Sequence, residues 1–216
     1  MTNETLCLRR KVMMKKSMFV LLLVCGLLLS VPAKGEVTIT PSNVQLPTAA
    51  GEDLSFDFVA NDPCGFTSQG FQSTITYSGP GILTFDDISS KTVTGETNYW
   101  LGGSPIVEAF EDPQNAGNYV FGDSPDDSIA RTLADDNIMA RYVFQWDGMP
   151  GDFTFNINLD TSNSFILDGS WVSHPIAFDP GTFTGGSNWF TVTIPEPATL
   201  MLLGLGATVL LRKRRA

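Results

Sequence analysis

Histidine occurs once in this 216-residue chain, at His174, and cysteine three times, at Cys7, Cys25 and Cys64. Cys7 and Cys25 belong to a basic and apolar leader, so beyond it Cys64 stands alone. One cysteine forms no intramolecular disulfide and no cysteine-ligated zinc site. Following Asp62-Pro63, it reads either as a semi-buried loop residue or as an intermolecular partner in an oxidising compartment. Positive charge is almost as scarce. Between Glu36 and Glu196 three basic residues, Lys91, Arg131 and Arg141, stand against 22 acidic ones, a net charge of −19. Binding to nucleic-acid phosphates relies on Lys and Arg, so that class of partner is excluded. Apolar residues, at 43% of the chain, are in ordinary supply, which excludes wholesale disorder.

Catalytic signatures are missing too. There is no G-x-S-x-G elbow. Gly122-Asp123-Ser124 has the form of a GDS-type esterase block, but such a block belongs near a mature N-terminus with an Asp-x-x-His late in the chain. Here the residue three before His174 is Trp171. A secreted hydrolase using His174 is therefore the remote alternative to a non-enzymatic protein, and His174 before Pro175 reads as a loop residue.

The basic residues that do exist sit at the two ends. Lys15 and Lys16 precede the apolar run Met18 to Leu29, followed by Ser-Val-Pro-Ala-Lys-Gly-Glu. A positive start, a short apolar run and a small-residue exit predict a secretory signal peptide over residues 1–35, cut after Ala33 or after Gly35. The alternative is a retained anchor, for which the run is short against a span of ~20 residues. Met14 opens a more typical signal sequence than Met1 and is an alternative start. At the other end, Pro195-Glu196-Pro197 makes a stiff extended break, because each Pro fixes its own φ and disfavours helix before it. The stretch Ala198 to Leu211 carries no charge, and Arg212, Lys213, Arg214 and Arg215 follow. As a helix this stretch is roughly 21 Å long, short of a ~30 Å hydrocarbon core, with snorkelling basic side chains or local thinning to make up the difference. The basic cluster keeps that end cytoplasmic and leaves the acidic domain outside. A buried C-terminal helix of the domain is the other reading.

The order Pro-Glu-Pro, short Gly-containing apolar stretch and terminal basic cluster over 194–216 resembles the PEP-CTERM sorting signal of Gram-negative bacteria. The resemblance implies recognition of Pro195, Glu196 and Pro197 by a membrane-embedded exosortase, a cysteine-dependent transpeptidase-like enzyme, with removal of the tail near the motif. It also implies transient anchoring in the inner membrane and an association with extracellular polysaccharide and biofilm matrix. On this basis the motif residues are a substrate's, and no catalysis resides in them.

Between the ends the dominant period is two. Leu54, Phe56 and Phe58 alternate with Asp53, Ser55 and Asp57, and Phe71, Ile75 and Tyr77 with Gln72, Thr74 and Thr76. Ile138, Ala140, Tyr142, Phe144 and Trp146 share one face, as do Phe153, Phe155, Ile157 and Leu159. Such alternation predicts strands with one buried face, hence antiparallel sheets, and Asp147 to Asp152 reads as a hairpin turn. Weaker strands are expected at 37–40, 82–85, 100–101, 106–110, 119–121, 166–172 and 190–193, with a helical turn within 128–137. Nine to eleven short strands predict an all-β fold over residues 36–193, an antiparallel β-sandwich of jelly-roll or immunoglobulin/cohesin-like type. A signal-peptide helix and a C-terminal hydrophobic helix flank it. The stretch Gly51 to Phe85, with its Gly-Asp-type turn, alternating strand, Gly-led strand ending in Thr-Tyr and Leu-x-Phe close, is similar to cohesin-like surface domains. It departs from them at Ser78-Gly79-Pro80, where Asp-Pro would follow the Tyr.

Two kinds of ligand site remain open in this domain. Asp123, Asp126, Asp127, Asp135 and Asp136 are oxygen ligands dense enough for Ca²⁺, without EF-hand spacing. The alternative is an acidic surface that keeps an exported protein soluble. Trp100 and Trp189, beside Asn and Gly-rich turns, are candidate platforms for sugar rings, against the alternative of burial. Trp146 reads as core. The sequence thus points to an exported, non-enzymatic surface or matrix protein, with a carbohydrate-binding module as the alternative.

Overall fold

The period-two segments pair into two facing sheets. The computed structural model describes residues 37–61, 63, 65–102 and 105–196. The predicted signal peptide, Cys64, Pro197, the uncharged stretch 198–211 and the cluster Arg212, Lys213, Arg214 and Arg215 lie outside the described residues. The first sheet has the order β4 (Leu83–Phe85), β8 (Ile138–Trp146), β2 (Asp53–Asn61), β1 (Val37–Gln45) and β12 (Ile176–Phe178). The second is built on β3 (Thr67–Ser78). The late half of β3 pairs with β9 (Gly151–Ile157), which continues to β14 (Trp189–Ile194) and β13 (Thr184–Gly186). Its early half pairs with β10 (Phe165–Asp168), followed by β11 (Ser173–His174). β6 (Tyr119–Pro125) also pairs with β3 and carries β5 (Pro105–Glu111) outside it, while β7 (Arg131–Thr132) pairs with the start of β3. Pairing is antiparallel except between β1 and β12, where the chain has crossed from the second sheet to the first.

Alternation sends the expected faces inward. Leu54, Phe56, Phe58, Tyr142, Phe144 and Trp146 of the first sheet meet Phe71, Ile75, Phe153, Phe155 and Phe190 of the second, all buried. Phe56 packs edge-on to Phe155 and Phe190, with ring centres 4.9 and 5.1 Å away. Tyr142 crosses the interior with its hydroxyl satisfied: it lies 2.8 Å from Ser73 Oγ and donates to the Ser73 carbonyl at 2.9 Å.

Beyond β4 the free edge of β8 is also partly covered. A short helix, α1 (Asp87–Ser90), runs into a 3-10 turn at Lys91–Gly95. Asp86 caps α1, its carboxylate accepting the N–H groups of Ile88 and Ser89 at 3.1 and 2.9 Å. Ser90 Oγ then accepts the Val143 N–H at 3.1 Å and ties the helix to β8. On the same sheet Arg141 grips Asp57 through two bonds of 2.6 and 2.9 Å, with Glu96 at 2.8 Å as a second acceptor. Asp57 is only 1% exposed, so the paired guanidinium is what makes its burial tolerable.

Two local expectations are corrected. The helical segment lies at 87–95, whereas 128–137 forms turns around β7, with Ser128 and Asp136 at φ of 56° and 63° that no α-helix accommodates. Trp100 and Leu101 are buried outside any strand, next to Tyr99, which makes a single bridge to Ile138.

Replacing Phe56 with Ala removes the ring that touches both sheets and should destabilise the domain by about 3–5 kcal/mol. Replacing Ile88, 75% exposed on α1, with Ala should change stability by less than about 0.5 kcal/mol. Urea unfolding followed by tryptophan fluorescence measures both.

Candidate functional site

The chain leaves the sandwich along β14, whose last ladder pair is Ile194 with Gly151. Pro195 and Glu196 follow directly and are exposed. The neighbouring β8–β9 turn is closed by hydrogen bonds. Asp147 accepts the Ile82 N–H at 2.8 Å and the Met149 N–H at 3.0 Å, and these donors hold its carboxyl below the usual range. Trp146 Nε1 donates to the Met149 carbonyl at 2.7 Å. Gly148 and Gly151, at φ of 97° and 136°, supply the backbone angles the turn needs. Among the described residues no helix is long and apolar enough to cross a membrane.

The five acidic candidates are dispersed. Asp123 points between the sheets, 7% exposed, where its Oδ2 accepts hydrogen bonds from the Tyr99 hydroxyl and, at 2.7 Å, from Trp100 Nε1. Its Oδ1 is buried without a hydrogen-bond partner. Burial outweighs these two donors and the nearby Phe71 amide and pushes the Asp123 carboxyl up to about 8, while burial and the nearby carboxyl raise the Tyr99 hydroxyl far above its usual range. Asp127 instead pairs with Arg131 at 2.7 Å and accepts the Ile129 N–H, which lowers its carboxyl. Asp126, Asp135 and Asp136 are exposed. Among the described residues no three His, Cys, Asp or Glu side chains converge as a metal site.

The tryptophans are distributed differently from the sequence expectation. Trp100 is 5% exposed and committed to Asp123, so it offers no ring face to a ligand. Trp146 is core, and Trp189 is half-buried, its indole lying against Gly186. The exposed ring is Trp171, at 53%, in a hairpin tip that sequence reading placed within a strand. That strand stops at Asp168 because the carboxylate turns the chain. Its Oδ1 accepts the N–H groups of Ser170 and Val172 at 2.8 and 3.1 Å, and its Oδ2 meets His174 Nε2 at 2.9 Å. Asp168 is held down to about 2, first by His174 and then by these amides. Trp171 sits at φ 61°, a conformation uncommon for a bulky residue and kept here by the clamp.

Ser124 and His174 are not assembled into a hydrolytic pair. Asp123, Phe71, Ile166 and His174 form one row across β6, β3, β10 and β11. His174 is thus three strands from β6, roughly 14 Å at the usual strand spacing, and the Ser124 side chain projects from the opposite face. That outer face carries a shallow groove of about 310 Å³ between Ile106, Glu108, Phe165 and Leu167.

The family model for the PEP-CTERM protein-sorting motif matches residues 193–215. No curated protein sequence matches the chain. Among solved structures it is similar to cohesin modules. The seventh type I cohesin of ScaB from Pseudobacteroides cellulosolvens shares 8% identity at a TM-score of 0.49, covering 74% of this chain and 93% of its own. The second type II cohesin module of the ScaA scaffoldin of Acetivibrio cellulolyticus shares 15% at 0.46, covering 64% and 83%. A cohesin module from a Clostridium perfringens family 33 glycoside hydrolase shares 8% at 0.46, covering 75% and 99%. These likenesses concern the arrangement of strands alone.

The Asp123 carboxyl links stability to pH. Its value is raised in the folded state, so the stabilisation is complete near pH 4, where a free Asp titrates. It falls as pH rises and is lost on passing about 8. Asp123→Asn keeps an acceptor for Tyr99 and Trp100 without the ionisation. Between pH 5 and 8 the urea midpoint of the wild type should therefore fall relative to that of the Asn variant.

Proposed function

We propose that this is an exported, non-catalytic protein of the cell surface or extracellular matrix, delivered by its C-terminal sorting signal. Residues 1–35 are the cleaved leader, 36–193 the working domain and 194–216 the tail. The uncharged stretch 198–211 holds the tail in the inner membrane, with Arg212, Lys213, Arg214 and Arg215 on the cytoplasmic side. An exosortase-type enzyme recognises Pro195, Glu196 and Pro197. The observation that carries this reading is the match at 193–215, which begins on the last two residues of β14. Pro195 and Glu196 are thus offered to an enzyme without unfolding the domain. The separation of Ser124 from His174 supports a non-catalytic role.

The intact mass of the protein from its host tests this. A species beginning near Glu36 and ending within Pro195 to Pro197 is expected in the envelope or medium. Glu196→Ala should leave a precursor ending at Ala216 in the membrane. A wild-type chain that retains Ala216 would overturn processing.

A second reading, a glycan-binding domain, is favoured by Trp171, an exposed ring on a hydrogen-bonded hairpin tip. The acidic surface directs it to neutral rather than anionic polysaccharide. Trp171→Ala should abolish retention on an exopolysaccharide column while leaving the urea midpoint unchanged. Unaltered retention would remove this reading.

A further inference from the structure

Three turns meet at the end of the sandwich from which the tail departs: β1–β2 around residues 46–52, β3–β4 at 79–82 and β8–β9 at 147–150. Their carboxylates are occupied within the turns. Glu52 accepts the N–H groups of Thr48 and Ala49 at 2.7 and 3.1 Å, and Asp147 accepts those of Ile82 and Met149. Their apolar side chains face out. Ile82 is 66% and Met149 53% exposed. The three turns are in contact, since a Cβ on Gly81 would lie 2.8 Å from the Met149 side chain, and one on Gly148 would lie 2.8 Å from Ala50. Ala49, Ala50 and Pro80 are exposed beside them, and no Lys or Arg falls in any of the three turns.

Single exposed apolar residues are ordinary, but the surroundings of this group are set by the chain itself. Three residues, Pro195 to Pro197, separate Ile194 from the uncharged stretch beginning at Ala198. Three residues reach at most about 11 Å, and each headgroup layer of a bilayer is about 5–8 Å thick. The stretch is also too short for the hydrocarbon core, which draws both of its flanks inward.

We infer that this end of the sandwich is a bilayer-apposed face. Ile82 and Met149 press into the headgroup–acyl boundary while the tail is in the membrane, holding Pro195 to Pro197 at membrane level. The inference rests on the membrane-inserted tail of the preceding reading. Lipid is the occupant because so short a linker leaves the bilayer surface as the nearest neighbour of these turns. The contact is apolar, since these turns offer no cation to anionic headgroups.

The test uses the chain from Glu36 to Ala216, without the leader whose own apolar run would insert, and with Cys64 changed to serine. A single environment-sensitive fluorophore is placed at Ile82→Cys, Met149→Cys or, at the far end beside β7, Ile129→Cys. The protein is reconstituted into phosphatidylethanolamine–phosphatidylglycerol vesicles. Labels at 82 and 149 should shift to the blue and lose intensity to nitroxide lipids whose quencher sits about 5–10 Å deep. The label at 129 should stay open to aqueous iodide. Chains that float with the vesicles while labels at 82 and 149 remain as iodide-accessible as that at 129 would overturn the inference and leave the inserted tail intact. Chains that fail to float would overturn the inserted tail itself, and the inference with it. Labels shielded only when the vesicles also contain the processing enzyme would overturn lipid as the occupant in favour of that enzyme.

Discussion

The sandwich depends on one aromatic layer, centred where Phe56 and Tyr142 of the first sheet meet Phe155 and Phe190 of the second. Phe56 touches both facing rings edge-on, and Phe144 reaches Phe155 at 5.7 Å, so the layer is continuous across the interface. Aromatic rings give large buried area with few rotatable bonds, and here they link the two sheets. The one polar group that the layer buries at its centre, the Tyr142 hydroxyl, is answered by Ser73. That bond constrains the register of the sheets as well as their spacing, because it is formed only when β8 and β3 cross at this point.

Given that layer, the edges of the domain are managed by carboxylates. Asp86 starts the helix that borders β8, Asp147 closes the turn at the tail end, and Asp168 closes the hairpin that displays Trp171. A chain with 22 acidic and three basic residues in its middle thereby spends several acids on backbone N–H groups rather than leaving every one to solvent. Asp57 and Asp123 are the buried exceptions, and they are handled oppositely. Asp57 has an Arg141 guanidinium against it, whereas Asp123 has only neutral donors, and burial drives the Asp123 carboxyl toward the protonated form.

The same constraint shapes how the domain meets its tail. Because β14 is zipped to β9 as far as Ile194, the sorting motif starts at the edge of a rigid sheet instead of after a flexible linker. Pro195 and Glu196 therefore start from a place set by the sheet, beside the β8–β9 turn.

Much of this was determined by sequence alone, and for a local reason. Strand faces follow from alternation among residues a few positions apart, so the burial of Phe56, Tyr142 and Phe155 was legible. The Pro195-Glu196-Pro197 signal was legible because it is contiguous. What only the tertiary structure decided depends on partners distant in sequence. Trp100 was a candidate platform until Asp123, 23 residues away, took its indole N–H and buried it. Trp171 was hidden in an apparent strand until Asp168 and His174 bent the chain there. The carboxylates of 123–136 formed a dense run in one dimension, but strand alternation turned Asp123 inward and the Arg131 pair took Asp127. Ile82, Met149 and Ile194 came to share one end through the registers of β4 with β8 and β9 with β14. Register is set by packing across the whole sheet, so no segment carries it alone.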